Sequence, residues 1–283
     1  METAMEKKII LGIDVGLSTT KICGFDITDG NRRLMDPLFV RATDPITSMY
    51  GALGKFIDTN SLSLSDIEKV MVTGVGASHI KNNIYNLKWE TVSEFDCIGL
   101  GGRYLCDFDR AIIVSLGTGT ALVYSEKGKE PVYLGGTGVG GGTLMGLSKK
   151  LLGMDNIDHI EELAKGGNLR NVDIKISALT SQDIAPGFGD DMTASNFGNV
   201  SDLATNADIA LGIINMVFET VGMVSVFAAR NYSLKDVVLT GNLTAVSQAK
   251  EVFEVLNRMF DMNFVIPEYA SFGTVIGAAL AGC

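Results

Sequence analysis

The residues of this sequence best suited to chemistry lie in short loops that combine glycine, hydroxyl side chains and a carboxylate or lysine. The first is Asp14-Val-Gly-Leu-Ser-Thr-Thr-Lys21. Gly16 lets a ligand approach the backbone, the Ser18 and Thr19 hydroxyls and nearby N–H groups donate hydrogen bonds, and Lys21 brings positive charge; together these suit a nucleotide phosphate. Asp14 is suited to magnesium held through water. An ordinary hairpin turn uses the same residue types, and what favours phosphate is that further loops of this kind follow. Gly117-Thr-Gly-Thr120 offers a second set of donors. Gly135-Gly-Thr-Gly-Val-Gly-Gly-Gly142 places six glycines in eight positions, an ordering cost that a ligand approaching the backbone would justify. A flexible linker shares that composition, but an apolar helix follows at once, and its N-terminal dipole near Thr143 would favour a phosphate.

One carboxylate stands apart as a candidate general base. Glu94 lies in Ser93-Glu-Phe-Asp-Cys97 at the expected start of a helix. Phosphorylating an alcohol requires a group that accepts the hydroxyl proton, and a carboxylate can do so. The same residues also read as a capped helix start, with Ser93 and Asp96 at the cap and Glu94 as a first-turn acid favoured by the dipole.

These loops need a scaffold, and the chain supplies its pattern twice. Lys8 to Val15 and Lys21 to Asp26 read as strands joined by the first loop. This is strand, turn, strand rather than the Rossmann order, in which the glycines open a helix. Thr47 to Asn60 reads as a helix, Lys69 to Thr73 as a strand running into Thr73-Gly-Val-Gly76, and Ser93 to Cys106 as a helix. About a hundred residues on, the order recurs: strands Arg110 to Leu116, Ala121 to Ser125 and Pro131 to Leu134 carry the second and third loops. That recurrence predicts two related α/β halves, 1–108 and 109–283, with a cleft between them. Helices Leu144 to Leu152 and Ile157 to Ala164 follow, then a polar loop from Ile184 to Phe197, a long apolar helix from Ala207 to Arg230, strand Asp236 to Leu239 with Thr240-Gly-Asn242, helix Thr244 to Phe260 and a Gly/Ala-rich helix from Gly273.

Composition narrows the class. The chain has 283 residues, 46% of them hydrophobic, with a net charge of −10; this suits two folded domains with a large core and argues against a general nucleic-acid binder. Four scattered cysteines and two histidines, His79 and His159, do not make a zinc pattern. The polar residues Met1 to Lys8 run straight into a strand, so no signal peptide is expected and a reducing cytoplasm is. The apolar helix has the length of a membrane span, but Asn215, Glu219 and Asp208 make a buried or dimer-interface helix the better reading, so no membrane partner is expected.

The order of motifs resembles that of the type II pantothenate kinases, built on the actin/sugar-kinase/Hsp70 fold. The resemblance spans nearly the whole chain: Gly12-Ile-Asp-Val-Gly16 with Lys21, Thr73-Gly74, Glu94-Phe-Asp-Cys97, Gly117-Thr-Gly119, the long glycine loop with Gly146-Leu147, Thr193-Ala-Ser-Asn-Phe-Gly198, Thr240-Gly241 and Phe272-Gly-Thr-Val-Ile-Gly-Ala278. It implies a two-domain, ribonuclease H-like actin fold with an ATP cleft between the halves, Mg2+ and ATP as cofactors, a small alcohol as partner and a homodimer formed through the apolar helix. It further implies phosphoryl transfer to pantothenate with Glu94 as base. ATP would be held by Asp14, Gly16, Ser18, Thr19, Lys21, Gly140, Gly141, Gly142 and Thr143, with Gly241 and Asn242, and Thr118 would lie near the transferred phosphate or substrate. Family members carry an arginine two residues before the double glycine of the long loop, where this chain has Tyr133, which the resemblance places at the substrate; Arg103 is the candidate to replace the lost contact with the substrate carboxylate. Two other readings stay open. One is a sugar or amino-sugar kinase of the same superfamily. The other is an ATP-binding conformational module, either silent or like the 2-hydroxyacyl-CoA dehydratase activators, whose cluster cysteines have no counterpart in the setting of Cys97 and Cys106.

Overall fold

The computed structural model describes residues 7–16, 19–41, 44–80, 84–179 and 192–283. The chain begins with β1 (Ile9–Val15), β2 (Thr20–Asp26), β3 (Arg33–Val40), α1 (Pro45–Thr59), β4 (Ile67–Thr73), β5 (Trp89–Thr91) and α2 (Glu94–Cys106). It continues through β6 (Arg110–Leu116), β7 (Thr120–Glu126), β8 (Val132–Thr137), α3 (Gly141–Leu152), α4 (Ile157–Ala164), β9 (Ile174–Lys175), α5 (Ile176–Leu179) and β10 (Thr193–Ser195). Last come α6 (Asn206–Asn231), β11 (Asp236–Thr240), α7 (Ser247–Phe260), β12 (Asn263–Val265) and α8 (Gly273–Ala281).

Two five-stranded sheets result, ordered β3-β2-β1-β4-β5 and β12-β11-β6-β7-β8. Both follow one plan. Three consecutive strands run outward from the first, and the remaining two are added on that first strand's other side. The recurrence read as strand, turn, strand therefore extends to whole sheets. The described residues within 1–113, 123–133 and 267–283 form one compact unit, and those within 114–122 and 134–266 form a second.

In the first unit, β1 is the central strand and both of its faces are covered. Alternation sends Ile9, Leu11, Ile13 and Val15 into a core with Met49, Leu53 and Phe56 of α1. The opposite face carries Ile10, Gly12 and Asp14, and there α8 and α2 pack: Ile10 clusters with Met71, Cys97 and Ala278. Approach on this side is backbone to backbone. A Cβ on Gly12 would lie 2.4 Å from the Val275 carbonyl oxygen, one on Gly101 1.8 Å from the Gly273 carbonyl oxygen, and one on Gly277 1.8 Å from the Cys97 carbonyl oxygen. A glycine-rich α2 is intrinsically a poor helix; packing rather than propensity holds it.

In the second unit, α6 is long and apolar enough to cross a membrane by length and composition, yet half of its 26 residues are buried within the fold. The polar residues that interrupt it all have partners. The Asp208 carboxylate accepts from the Asn168 N–H at 2.7 Å and from the Asn171 amide at 3.1 Å, Asn215 donates to Asp173 at 3.1 Å, and Glu219 accepts from Thr193 at 2.8 Å and Asn196 at 2.9 Å. Backbone donors at Thr205 and Asn168 hold the Asp208 carboxyl down at about 2.

Some expectations needed revision. β8 runs on through Gly135 and Gly136 to Thr137, and α3 starts inside the glycine run at Gly141. The polar stretch before α6 contains β10, paired antiparallel with β9, while residues 180–191 lie outside the described residues. Helix α7 begins at Ser247 because Asn242–Ala245 makes a separate tight turn.

The α2/α8 contact yields a direct test by urea denaturation. Gly101→Ala is expected to destabilise the protein by about 2–4 kcal/mol through overpacking against immovable backbone. Gly54→Ala on α1, where a Cβ meets nothing within 4 Å, should instead stabilise by about 0.5–1 kcal/mol.

Candidate active site

The strand ladder sets the first loop. β1 and β2 are antiparallel with Asp14 opposite Lys21, and β1 and β4 are parallel with Asp14 opposite Thr73. The Gly16 N–H donates to the Thr19 carbonyl at 3.0 Å and closes the turn, so this glycine is needed by the hairpin itself; Ser18 lies outside the described residues. Gly74 has φ of 87°, and a Cβ there would sit 2.4 Å from Asp14 Oδ1. Asp14 is thus gripped between two strands and a glycine turn, with its carboxylate at the end of the face that α2 and α8 cover.

Electrostatics tie Glu94 to this carboxylate. Burial is the main cause that raises the Asp14 pKa to about 6; Lys21 pulls it down and the Glu94 charge pushes it up. Cys97, one turn from Glu94 on α2, is also buried; that burial pushes its thiol up to about 12, the Thr73 hydroxyl opposes the rise, and the charges of Asp14, Asp96 and Glu94 add to it. Asp14, Glu94 and Asp96 therefore share one electrostatic neighbourhood. Glu94 itself is the exposed first residue of α2. Ser93 makes no side-chain cap bond, so the capping alternative is not realised as hydroxyl-to-backbone geometry.

Lys21 is more constrained than a free counter-charge. Its Nζ donates to the Ser271 carbonyl oxygen and lies over the Phe272 ring, 5.7 Å from the centroid, while burial lowers its pKa. Arg103 sits nine residues beyond Glu94 on α2, which at about 100° per residue turns it to the opposite side of the helix. The structure does not bring those two together. Tyr133, which holds the place of the family's substrate-contacting arginine, stacks its ring on that of Phe95, the neighbour of Glu94.

In the second unit the exposed Thr118 heads the β6/β7 turn, closed by the Gly117 N–H donating to the Gly119 carbonyl at 2.9 Å. The long glycine run packs on that turn. The Gly141 N–H donates to Gly117 at 2.9 Å and the Gly142 N–H to Thr118 at 2.8 Å, so two N–H groups at the head of α3 are engaged by protein. A Cβ on Gly140 would lie 2.9 Å from the Gly119 Cα. Close approach of the chain to itself thus accounts for several of these glycines. Thr143 Oγ1 donates to the Gly138 carbonyl at 2.9 Å. Gly241 mirrors Gly74: φ is 95°, and a Cβ would lie 2.5 Å from the Leu116 carbonyl oxygen, with exposed Asn242 next in the chain. Sequence reasoning gave Thr73 and Phe95 no role of their own, although each adjoins a residue it singled out.

The family model Fumble matches residues 110–264, more than half of the chain. Its span takes in Thr118, Tyr133, Gly140 to Thr143, Gly241 and Asn242. Type II pantothenate kinase from Staphylococcus saprophyticus is 32% identical over 193 residues, 64% of this chain and 71% of that one. This chain belongs to the type II pantothenate kinases. The type II pantothenate kinase of Bacillus thuringiensis is 27% identical over 241 residues, 82% of each chain. Among solved structures, the activator of the 2-hydroxyisocaproyl-CoA dehydratase from Clostridium difficile superposes with a TM-score of 0.66 at 17% identity, covering 96% of this chain and 93% of that one. The ROK hexokinase from Thermus thermophilus gives 0.54 at 11% identity, covering 96% and 77%. At those identities the likeness is one of fold, and the fold is that of the actin-like ATPases, as expected from the sequence.

The raised pKa of Asp14 makes stability depend on pH. Native Asp14 titrates near 6 and the unfolded side chain near 3.8. As pH rises through that window the unfolded chain releases a proton the native one still holds, so stability falls. Asp14→Asn has no charge to desolvate. It should be more stable than the parent at pH 8, by roughly 1–3 kcal/mol since the net rise already includes the attraction to Lys21, and equal to it near pH 3. Thermal melts across pH measure the difference.

Proposed function

We propose that this type II pantothenate kinase transfers the γ-phosphoryl group of ATP to the primary hydroxyl of pantothenate, giving 4'-phosphopantothenate for coenzyme A synthesis, with Glu94 as general base. The observation that carries the assignment of the base is the placement of Glu94. It is an exposed carboxylate at the head of a helix anchored on the Asp14 face of β1, and among the described residues no hydrogen bond or ion pair occupies it. The hydroxyl proton passes to the Glu94 carboxylate as the alcohol oxygen bonds to the γ-phosphorus. The bond from that phosphorus to the bridging oxygen breaks, and ADP leaves with the electron pair.

Each of the two compact units carries ATP contacts in this proposal, the first having taken in 123–133 and 267–283, which the boundary expected at 108/109 had assigned to the second half. Gly16, Ser18, Thr19 and Lys21 serve the first, and Thr118, Gly140 to Thr143, Gly241 and Asn242 the second. Among the described residues no group of three or more His, Cys, Asp or Glu forms a ready metal cage, which suits magnesium, since that ion takes one or two carboxylates and completes its shell with phosphates and water. Asp14, a half-buried carboxylate with a second acid nearby, fits as its protein ligand; Mg2+ would neutralise charge on the phosphates. The enzyme is proposed to work in the cytoplasm as a homodimer joined along Ile209 to Ala229, where Phe227 remains 61% exposed.

Glu94→Gln should lower turnover by roughly two to four orders of magnitude with ATP affinity nearly unchanged and stability altered by less than about 1 kcal/mol. Steady-state kinetics paired with nucleotide titration decide this, and retention of most activity would place the base elsewhere. Sedimentation at micromolar concentration should show two chains for the parent and one for Phe227→Glu; a monomeric parent would remove the dimer.

A further inference from the structure

Phe272 opens Phe272-Gly-Thr-Val-Ile-Gly-Ala278, one of the motifs on which the family resemblance rests, and it ends the tight turn Ala270–Phe272 that leads into α8. Its ring lies beneath the Lys21 ammonium, 5.7 Å from Nζ to the centroid. The carbonyl of its neighbour Ser271 accepts from the same Nζ. Lys21 therefore leaves β2 opposite Asp14 and ends against one carbonyl and one aromatic face from the far end of the chain. The lysine is half-buried, and these fixed partners stand in for part of its hydration. Burial is the main cause that lowers its pKa, and the Asp14 charge opposes the fall.

The turn that supplies both partners is itself held from several sides. The Phe272 N–H donates to the Tyr269 carbonyl at 2.7 Å. Tyr269 has a φ of 59°, a left-handed conformation that a bulky side chain adopts only where its surroundings impose it. Here its ring meets that of Phe272 edge-on, with centroids 6.5 Å apart, and its hydroxyl donates to Asp36 Oδ1 of β3 at 3.1 Å. Directly after Phe272, the Gly273 carbonyl oxygen stands where a Cβ on Gly101 of α2 would overlap it. One run of contacts thus joins β3, Tyr269, Phe272, Lys21 and Asp14, all within the first unit.

Resting on the reading of the first loop as an ATP-phosphate site, we propose that Phe272 is a positioning residue for this reaction: its ring and the Ser271 carbonyl hold the Lys21 ammonium at the phosphate hairpin before nucleotide arrives. A lysine stem is long and flexible. Fixing it in advance removes that ordering cost from the binding step, so the phosphates meet a cation already in place. In this role the ring acts through Lys21, and its effect falls on the nucleotide and not on the acceptor.

Calorimetric titration of the purified enzyme with a non-hydrolysable ATP analogue and Mg2+, without acceptor, reads this directly. Phe272→Leu keeps an apolar side chain but removes the ring face, and it should weaken binding by about three- to thirtyfold, the range expected of a cation over an aromatic ring. Phe272→Tyr should recover most of the parent's affinity. In a Lys21→Met background the same Phe272→Leu change should alter affinity by less than about twofold, because the partner it works through is gone. In kinetics, KM for ATP should follow the binding loss while KM for pantothenate stays within about twofold of the parent. Tyr269→Leu removes the supporting edge, leaves Phe272 in place and should weaken nucleotide binding in the same direction, again only with Lys21 present; thermal melts confirm that each variant is folded. If Phe272→Leu leaves affinity unchanged or tightens it, or weakens it equally in the Lys21→Met background, the clamp is wrong and the ATP reading stands. If the parent binds no nucleotide, or Lys21→Met binds it as tightly as the parent, the phosphate assignment of the first loop falls and the clamp with it.

Discussion

The constraint on which the site depends is the approach of two helices to a strand at the distance of bare backbone. Gly12 on β1, Gly101 on α2 and Gly277 on α8 each occupy a place where one added carbon would overlap a main-chain atom. With them α2 can lie low over the end of β1, and its first residue, Glu94, comes within electrostatic range of Asp14. Larger residues would lift the helix and carry the acid away. Poor helix propensity and a small, polar-atom-rich contact are what the chain accepts in return.

Much of this was legible in the sequence where local pattern and tertiary environment agree. The β1/β2 hairpin shows as alternation around a turn, and α6 as a long apolar run whose Asp208, Asn215 and Glu219 marked it as a covered helix, in a core or at a dimer interface, and not a membrane span. β3 was not legible: Arg33, Asp36 and Pro37 interrupt its pattern, which a sheet tolerates because this is an edge strand. The glycine loop was read as a place for a ligand because its cost is visible in sequence, but the compensation is not. Part of that compensation is the β6/β7 turn, brought against it by chain folding. The tether of Lys21 to Ser271 and the stack of Phe95 on Tyr133 join residues 250 and 38 positions apart, and no periodicity reports such pairs.

The two sheets share a plan down to the turn after their parallel strand. Thr73-Gly74 and Thr240-Gly241 both end a strand, both take a positive φ at glycine, and both press that glycine against the end of the central strand. The copies differ in what they present there. The first sheet offers Asp14 at the place where the second offers Ser115, so repetition fixed the scaffold while the charged group is found in one half alone.

The position of α8 in the chain bears on how the molecule is made. Its residues Val275, Ile276 and Ala279 complete a cluster with Cys23 and Phe25, partners some 250 positions earlier. A ribosome releases that sheet long before the helix that covers it, and the second unit's residues emerge in between. The first sheet must wait with an apolar face open, which slows its completion by high contact order and leaves it the more exposed of the two to chaperones and to aggregation during synthesis.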